Sequence, residues 1–267
     1  IKVAVGQTVH YTGLVAPDGI TPVPTTSWGY GDDKFYTWPG RTFEVRSYEP
    51  LEVKWENRLN KLPYLITGKD NTSLGFGDYT GRPVLDTSLH WAYSLPGYEG
   101  YSFEKDGVPI VVHLHGGHSD YQFDGNPEFF FSPNYTIYGP QFVDKKYLYD
   151  NSQPAGTLWY HDHALGITRL NVYAGMAGFY IVRDDFDTGL FGNPLDLPAY
   201  PYEAAFAIQD RMFKDNGELF YPAFPGDPFY DDFITGEGAV LPLSIFPGGG
   251  PTALAEFFGD HMVVNGK

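Results

Sequence analysis

The chain has 267 residues, 33 Asp and Glu against 17 Lys and Arg, and a formal charge of −16 at pH 7. That acidity argues against nucleic acid and anionic membranes as partners, and no apolar run is long enough to cross a bilayer as a helix. The absence of cysteine excludes disulfides, thiolate nucleophiles, iron–sulfur clusters and cysteine-ligated zinc, while 32 Gly, 22 Pro and 18% aromatics favour an all-β fold rich in turns.

In chain order, residues 1–40 carry Pro, Gly and Thr and read as an extended arm with turns at Asp18-Gly19 and Trp38-Pro39-Gly40. Thr42-Phe43-Glu44-Val45-Arg46 and Leu51-Glu52-Val53-Lys54-Trp55 alternate apolar with polar side chains, the pattern of half-buried strands. Residues 60–108 resemble an insertion, long enough to be functional or decorative.

The run Pro109-Ile110-Val111-Val112 closes on His113-Leu114-His115, and Leu158-Trp159-Tyr160 leads into His161-Asp162-His163. Side chains two residues apart on a strand share a face, with Cα atoms roughly 6.5 Å apart. Each pair therefore aims two imidazoles into one space. At metal–nitrogen bonds of about 2 Å, such a pair can hold one metal or two adjacent metals, and two pairs on neighbouring strands can surround a cluster. Alternation turns Asp162 away from that space, toward either a supporting hydrogen bond or the surface. Trp159 and Tyr160 read as core. His118 reads as a polar loop residue, Met176 as packing, and His10, His90 and His261 as structural.

A short helical turn is expected over 164–170, and Ala177-Gly178-Phe179-Tyr180-Ile181-Val182 as a closing strand. Further strands are expected at Ala204-Ala205-Phe206-Ala207-Ile208, Leu219-Phe220-Tyr221 and His261-Met262-Val263-Val264. These are too few for a second sandwich, which needs around seven strands, so the chain is expected to be a fragment.

The segments His113-Leu114-His115-Gly116-Gly117, Asp124-Gly125-Asn126-Pro127-Glu128, Leu158 to Ala164 and Thr168 to Gly175 resemble the multicopper oxidases, in the bacterial spore-coat laccase and bilirubin oxidase branch. Trp28-Gly29-Tyr30, Pro39 to Val45, Gln209-Asp210-Arg211 and Val263-Val264-Asn265-Gly266-Lys267 fit the same branch. The resemblance implies a cupredoxin-like Greek-key β-sandwich. It divides the chain into a first cupredoxin domain with its N-terminal arm (1–185), a linker (186–200) and the incomplete first part of a second such domain (201–267).

The resemblance further implies copper. His113 resembles a type 2 ligand, His115 and His161 resemble ligands of one type 3 copper, and His163 of the other. That is half the ligands of a trinuclear cluster reducing dioxygen to water. The type 1 copper is not on this chain, so a complementary C-terminal chain or fragment is implied as partner, with a small-molecule reductant such as a phenol. Asp124 resembles the carboxylate that delivers protons. A secreted, periplasmic, spore-surface or cell-surface setting is expected over a cytoplasmic one.

Two other readings compete. His113, His115 and His118 occupy three positions of a metallo-β-lactamase zinc signature, but its Asp position is Gly117, and the signature leaves His161 and His163 unexplained. A catalytically inactive copper-binding subunit is the non-enzymatic alternative.

Overall fold

The computed structural model describes residues 1–32, 34–60, 65, 95–101, 103–221 and 258–267. Among these, two sheets face each other. One has five strands in the order β3-β2-β1-β5-β7, formed by β1 (Lys2–His10), β2 (Thr25–Gly31), β3 (Tyr36–Thr37), β5 (Leu51–Asn57) and β7 (Lys146–Tyr149). The other has four in the order β4-β9-β8-β6, from β4 (Gly40–Arg46), β6 (Val112–His115), β8 (Gly156–Asp162) and β9 (Ala177–Arg183). The pairs β1·β5 and β4·β9 are parallel. Such neighbours cannot be joined by tight hairpins, so the chain crosses between sheets.

The alternation expected in 42–46 and 51–55 is present: Phe43, Val53 and Trp55 turn into the core. The sheets meet through aromatic rings. Tyr160 of β8 packs edge-on against Tyr30 of β2 and Phe43 of β4, both at 5.1 Å between centroids, and lies 5.6 Å from Trp55 of β5. Each such pair adds about 0.5–1.5 kcal/mol beyond its buried area. Tyr160 fits so closely because Gly178 faces it: a Cβ there would meet the ring at 2.5 Å. Its hydroxyl donates to the Arg41 carbonyl at 2.8 Å.

The N-terminal segment is not an arm. Its β1 is a central strand, antiparallel to β2 over Ala4 to His10 and parallel to β5 over Lys2 to Val5. Turn residues dominate the composition of 1–40, but β1 and β2 find their partners through long-range ladders that local composition does not encode.

After the one-turn α1 (Phe103–Asp106), the expected helical turn is α2 (Thr168–Tyr173), a few residues later than 164–170. The strand expected at 204–208 is β10 (Ile208–Phe213) and starts only at its last residue. The backbone before it pairs with a side chain instead: Asn265 accepts from the Ala207 amide at 2.8 Å and donates to the Ala205 carbonyl at 3.0 Å. With β11 (Leu219–Phe220) and β12 (His261–Val264), β10 forms a three-stranded sheet in the order β11-β10-β12. It docks on the first unit through Arg211, which is buried, donates to the carbonyls of Tyr173 and Val172, and lies over the rings of Tyr173 and Trp38.

Most of the stretch 60–108, including His90, lies outside the described residues. Among the described residues, no helix is long and apolar enough to cross a membrane.

Candidate metal centre

Strands β6 and β8 are antiparallel, and their register sets His113 opposite His161 and His115 opposite Trp159. Directly opposite residues bring their Cβ atoms to about 4.5–5.5 Å. Leu114 and Tyr160 fill the core on one face, so His113, His115, Trp159 and His161 share the other. The next strand supplies only Ala177 opposite His161, which leaves room for the imidazoles. His163 follows β8 directly, and its amide donates to the Val111 carbonyl at 2.8 Å.

All four rings converge. The centroid of His113 lies 5.4 Å from that of His115, 5.5 Å from His161 and 5.0 Å from His163. One nitrogen from each of His113, His115 and His161 falls within a group no more than 4.8 Å across. His163 stands beside that group, stacked on His113.

Three of the rings are oriented by backbone carbonyls. Nδ1 of His113 donates to the Asp124 carbonyl at 2.5 Å, that of His161 to the Asp162 carbonyl at 2.7 Å, and that of His163 to the Gly125 carbonyl at 3.0 Å. A proton spent on Nδ1 leaves Nε2 as a lone pair, so these contacts fix the tautomer. His115 is turned the other way, its Nδ1 3.2 Å from Nε2 of His161. Two nitrogens bound to one ion at about 2 Å lie about 3.3 Å apart at a tetrahedral angle. The pair therefore fits a shared metal ion.

Electrostatics favour the neutral, ligating form. Burial drives the imidazole of His161 down to about 4, against the pull of its hydrogen bond to the Asp162 carbonyl. Burial also lowers His163. A site that binds metal needs deprotonated imidazole, and burial keeps these two rings in that state.

Asp162 is neither at the surface nor near the metal space. It is fully buried, and its carboxylate accepts from the amides of Val111 and Ala164 at 3.0 and 3.1 Å and from Nδ2 of Asn171 at 2.8 Å. Burial pushes this carboxyl up to about 7, while the three hydrogen bonds pull it down. The group ties the entry of β6, the exit of β8 and α2 together, and so sets the spacing of the two histidine pairs. Alternation predicted its direction; only the packing of α2 against β8 closes it off from water.

Asp124 lies behind His113, with Oδ1 3.4 Å from the Nδ1 of that ring and its side chain about a third exposed. His118 turns away from the four rings, to the Ser152 carbonyl at 3.0 Å. Met176 is fully buried. His10 tilts against Trp38 and His261 against Phe213. Trp159 departs from the expectation of core packing. It is 39% exposed and lies against the imidazoles of His115 and His161, whereas Tyr160 does fill the core.

The loop that presents the Asp124 and Gly125 carbonyls has little tolerance. Gly125 has φ +74°, and a Cβ there would come within 2.1 Å of the Val112 carbonyl oxygen. Gly125→Ala is expected to shift the loop and release two imidazoles at once, weakening metal retention about 10–100-fold, as loss of ligand-orienting contacts does elsewhere. Metal content after graded chelation measures it.

Residues 107–187, which contain all four histidines, match the family described as multicopper oxidase. The chain is 36% identical over 244 residues to a laccase of Bacillus stratosphericus and 34% to one of Bacillus subtilis strain 168, covering 91% of its own length in both. It spans 38% of the length of those relatives. Among solved structures, the McoA multicopper oxidase of Aquifex aeolicus aligns with the whole chain at a TM-score of 0.54 and 17% identity, covering 38% of that protein. A laccase of Pediococcus acidilactici aligns with 99% of it at 0.52 and 17%, covering 37%. These likenesses establish the cupredoxin-type sandwich.

Proposed function

We propose, from the premise that this chain is a relative of the multicopper oxidases, that it supplies one side of a trinuclear copper centre at which dioxygen is reduced to water. The observation that carries the reading is the convergence of four imidazoles on one face of β6 and β8, with His115 Nδ1 and His161 Nε2 at a spacing that fits one ion. In this assignment His113 holds the type 2 copper, His115 and His161 hold one type 3 copper, and His163 holds the other. The separation of His163 from the tight group of three supports a different ion for that ring, while the division of His113 from His115 and His161 rests on the relationship to the family. Neutral imidazole suits copper, which tops the affinity order of the divalent first-row metals. His118, the extra ligand a zinc hydrolase would use, is held at Ser152 instead.

Copper held by these residues supplies one-electron redox chemistry and a site for dioxygen. The rest is the work of this chain's own groups. The carbonyls of Asp124, Asp162 and Gly125 hold protons on the outer nitrogens, so the rings present Nε2 without competing protonation. Asp124, partly open to water and next to His113, is assigned the role of taking protons from solvent and holding one on Oδ1 at the edge of the centre.

Four imidazoles from one side leave a cluster of three ions under-coordinated. The remaining ligands and the type 1 copper are assigned to a complementary segment outside this sequence, which accords with relatives more than twice its length. On this reading residues 1–185 are the first cupredoxin domain, 186–200 the linker and 201–267 the opening of the second. The reductant is a phenol or similar small molecule taken at that other segment. A secreted, periplasmic or surface setting rests on the relationship to laccases alone.

Asp124→Asn tests the proton assignment in the full-length protein. Copper content should be unchanged while dioxygen consumption falls about 10²–10⁴-fold, the usual worth of a positioned acid. Full turnover with full copper would remove Asp124 from the mechanism.

A further inference from the structure

We propose that Trp159 is a positioning residue for this centre: its indole fixes the plane of the His115 imidazole. The inference rests on the copper reading above and concerns how one ligand is held. Among the described residues, His113, His161 and His163 each have a backbone carbonyl on Nδ1, and His115 has none. Its Nδ1 is turned inward to His161, and the residue is exposed. That contact, at 3.2 Å, is longer than the carbonyl contacts of the other three rings and is a weaker hold on rotation about χ2.

The register of β6 and β8 supplies a different restraint. Trp159 is directly opposite His115, and its ring stacks on that imidazole with centroids 5.0 Å apart and planes 24° apart. It also lies 4.2 Å from the centroid of His161, at 31°. One indole therefore covers both imidazoles of the 3.2 Å nitrogen pair and keeps them edge-on to the shared space. Flat aromatic contact constrains a plane without consuming a nitrogen. It does for His115 what a carbonyl does for the other three, and leaves Nδ1 free.

The test compares Trp159→Phe, which keeps a flat ring, with Trp159→Leu, which does not, in the full-length protein. Copper retained against a graded chelator is measured on the loaded form. Ring mobility of His115 is measured by NMR relaxation of selectively labelled histidine on the metal-free form, and its melting temperature controls for folding. In the Leu variant the His115 ring signal should become mobile and copper retention should fall about 10–100-fold, at an unchanged metal-free melting temperature. The Phe variant should stay within about threefold of the parent. A His115 ring as immobile in the Leu variant as in the parent overturns the proposal, as does equal copper loss in both variants. If the parent itself binds no copper, the functional reading fails, while the ring-mobility comparison still decides the role of Trp159.

Discussion

On the proposed reading, His161→Ala in the full-length protein is expected to lower dioxygen reduction more than about 100-fold. Losing a residue that merely orients a ligand costs 10–100-fold, so losing the ligand itself must cost more. The geometry makes His161 the most damaging of the four to remove. It is nearly buried, it lies opposite His113 across the β6–β8 ladder, and its Nε2 is the partner of His115 Nδ1 at 3.2 Å. Its removal leaves His115 without the second nitrogen of the shared site and opens a gap at the centre of the ring cluster.

Elemental analysis of parent and variant checks this directly: copper in the parent and a marked deficit in the variant. The metal-free variant should melt close to the metal-free parent, because alanine deletes only two ring hydrogen bonds, that from Nδ1 to the Asp162 carbonyl and that between Nε2 and His115. The loaded parent should melt higher than its metal-free form, since a metal bound only by the native state adds its binding energy to stability. Zinc in place of copper, with hydrolytic activity, would overturn the oxidase reading. Copper without any dioxygen turnover in the full-length parent would favour the inactive binding subunit.

Asp162→Ala is expected to have the largest effect on stability, about 3–5 kcal/mol, because three buried neutral donors lose their acceptor together. The carboxylate is the acceptor for two backbone amides and the Asn171 side chain, none of which has water at hand. Each buried donor left alone costs about 1–3 kcal/mol. Asp162→Asn should be milder but still harmful, because an amide offers one acceptor oxygen and would turn its own NH₂ toward a donor. Urea denaturation of the metal-free protein gives the comparison. The Asn171 amide also reaches the Pro109 carbonyl at 3.3 Å, so the loss should loosen the approach to β6 and lower copper retention together with stability. A loss under about 1 kcal/mol, the net worth of a single ordinary hydrogen bond, would show that the network is not the tie described.

The site was legible because its central feature is local. In His113-Leu114-His115 and His161-Asp162-His163 the two-residue period of a strand puts each pair of rings on one side, whatever the strand pairs with. The same period turned Asp162 away from the metal space. The half-buried strands at 42–46 and 51–55 were visible for the same reason.

What failed was decided at long range. The central position of β1 depends on a parallel ladder to β5 some 50 residues on. Trp159 is a local miss instead: it stands two residues before His161, so alternation alone sets it on the histidine face, and only its stacking on His115 depends on the register of β6 and β8. The delayed start of β10 depends on Asn265, nearly 60 residues away in the chain.

By itself, then, the sequence determined an acidic, cysteine-free, all-β chain with two pairs of imidazoles each bound to a common face, because composition and alternation act within a few residues. The tertiary structure decided that the two pairs meet, that His115 offers Nδ1 while its companions offer Nε2, and that Asp162 is sealed from water. Those outcomes follow from strand register and from the seating of α2 and the 124–125 loop, which bring together backbone groups and rings that are far apart along the chain.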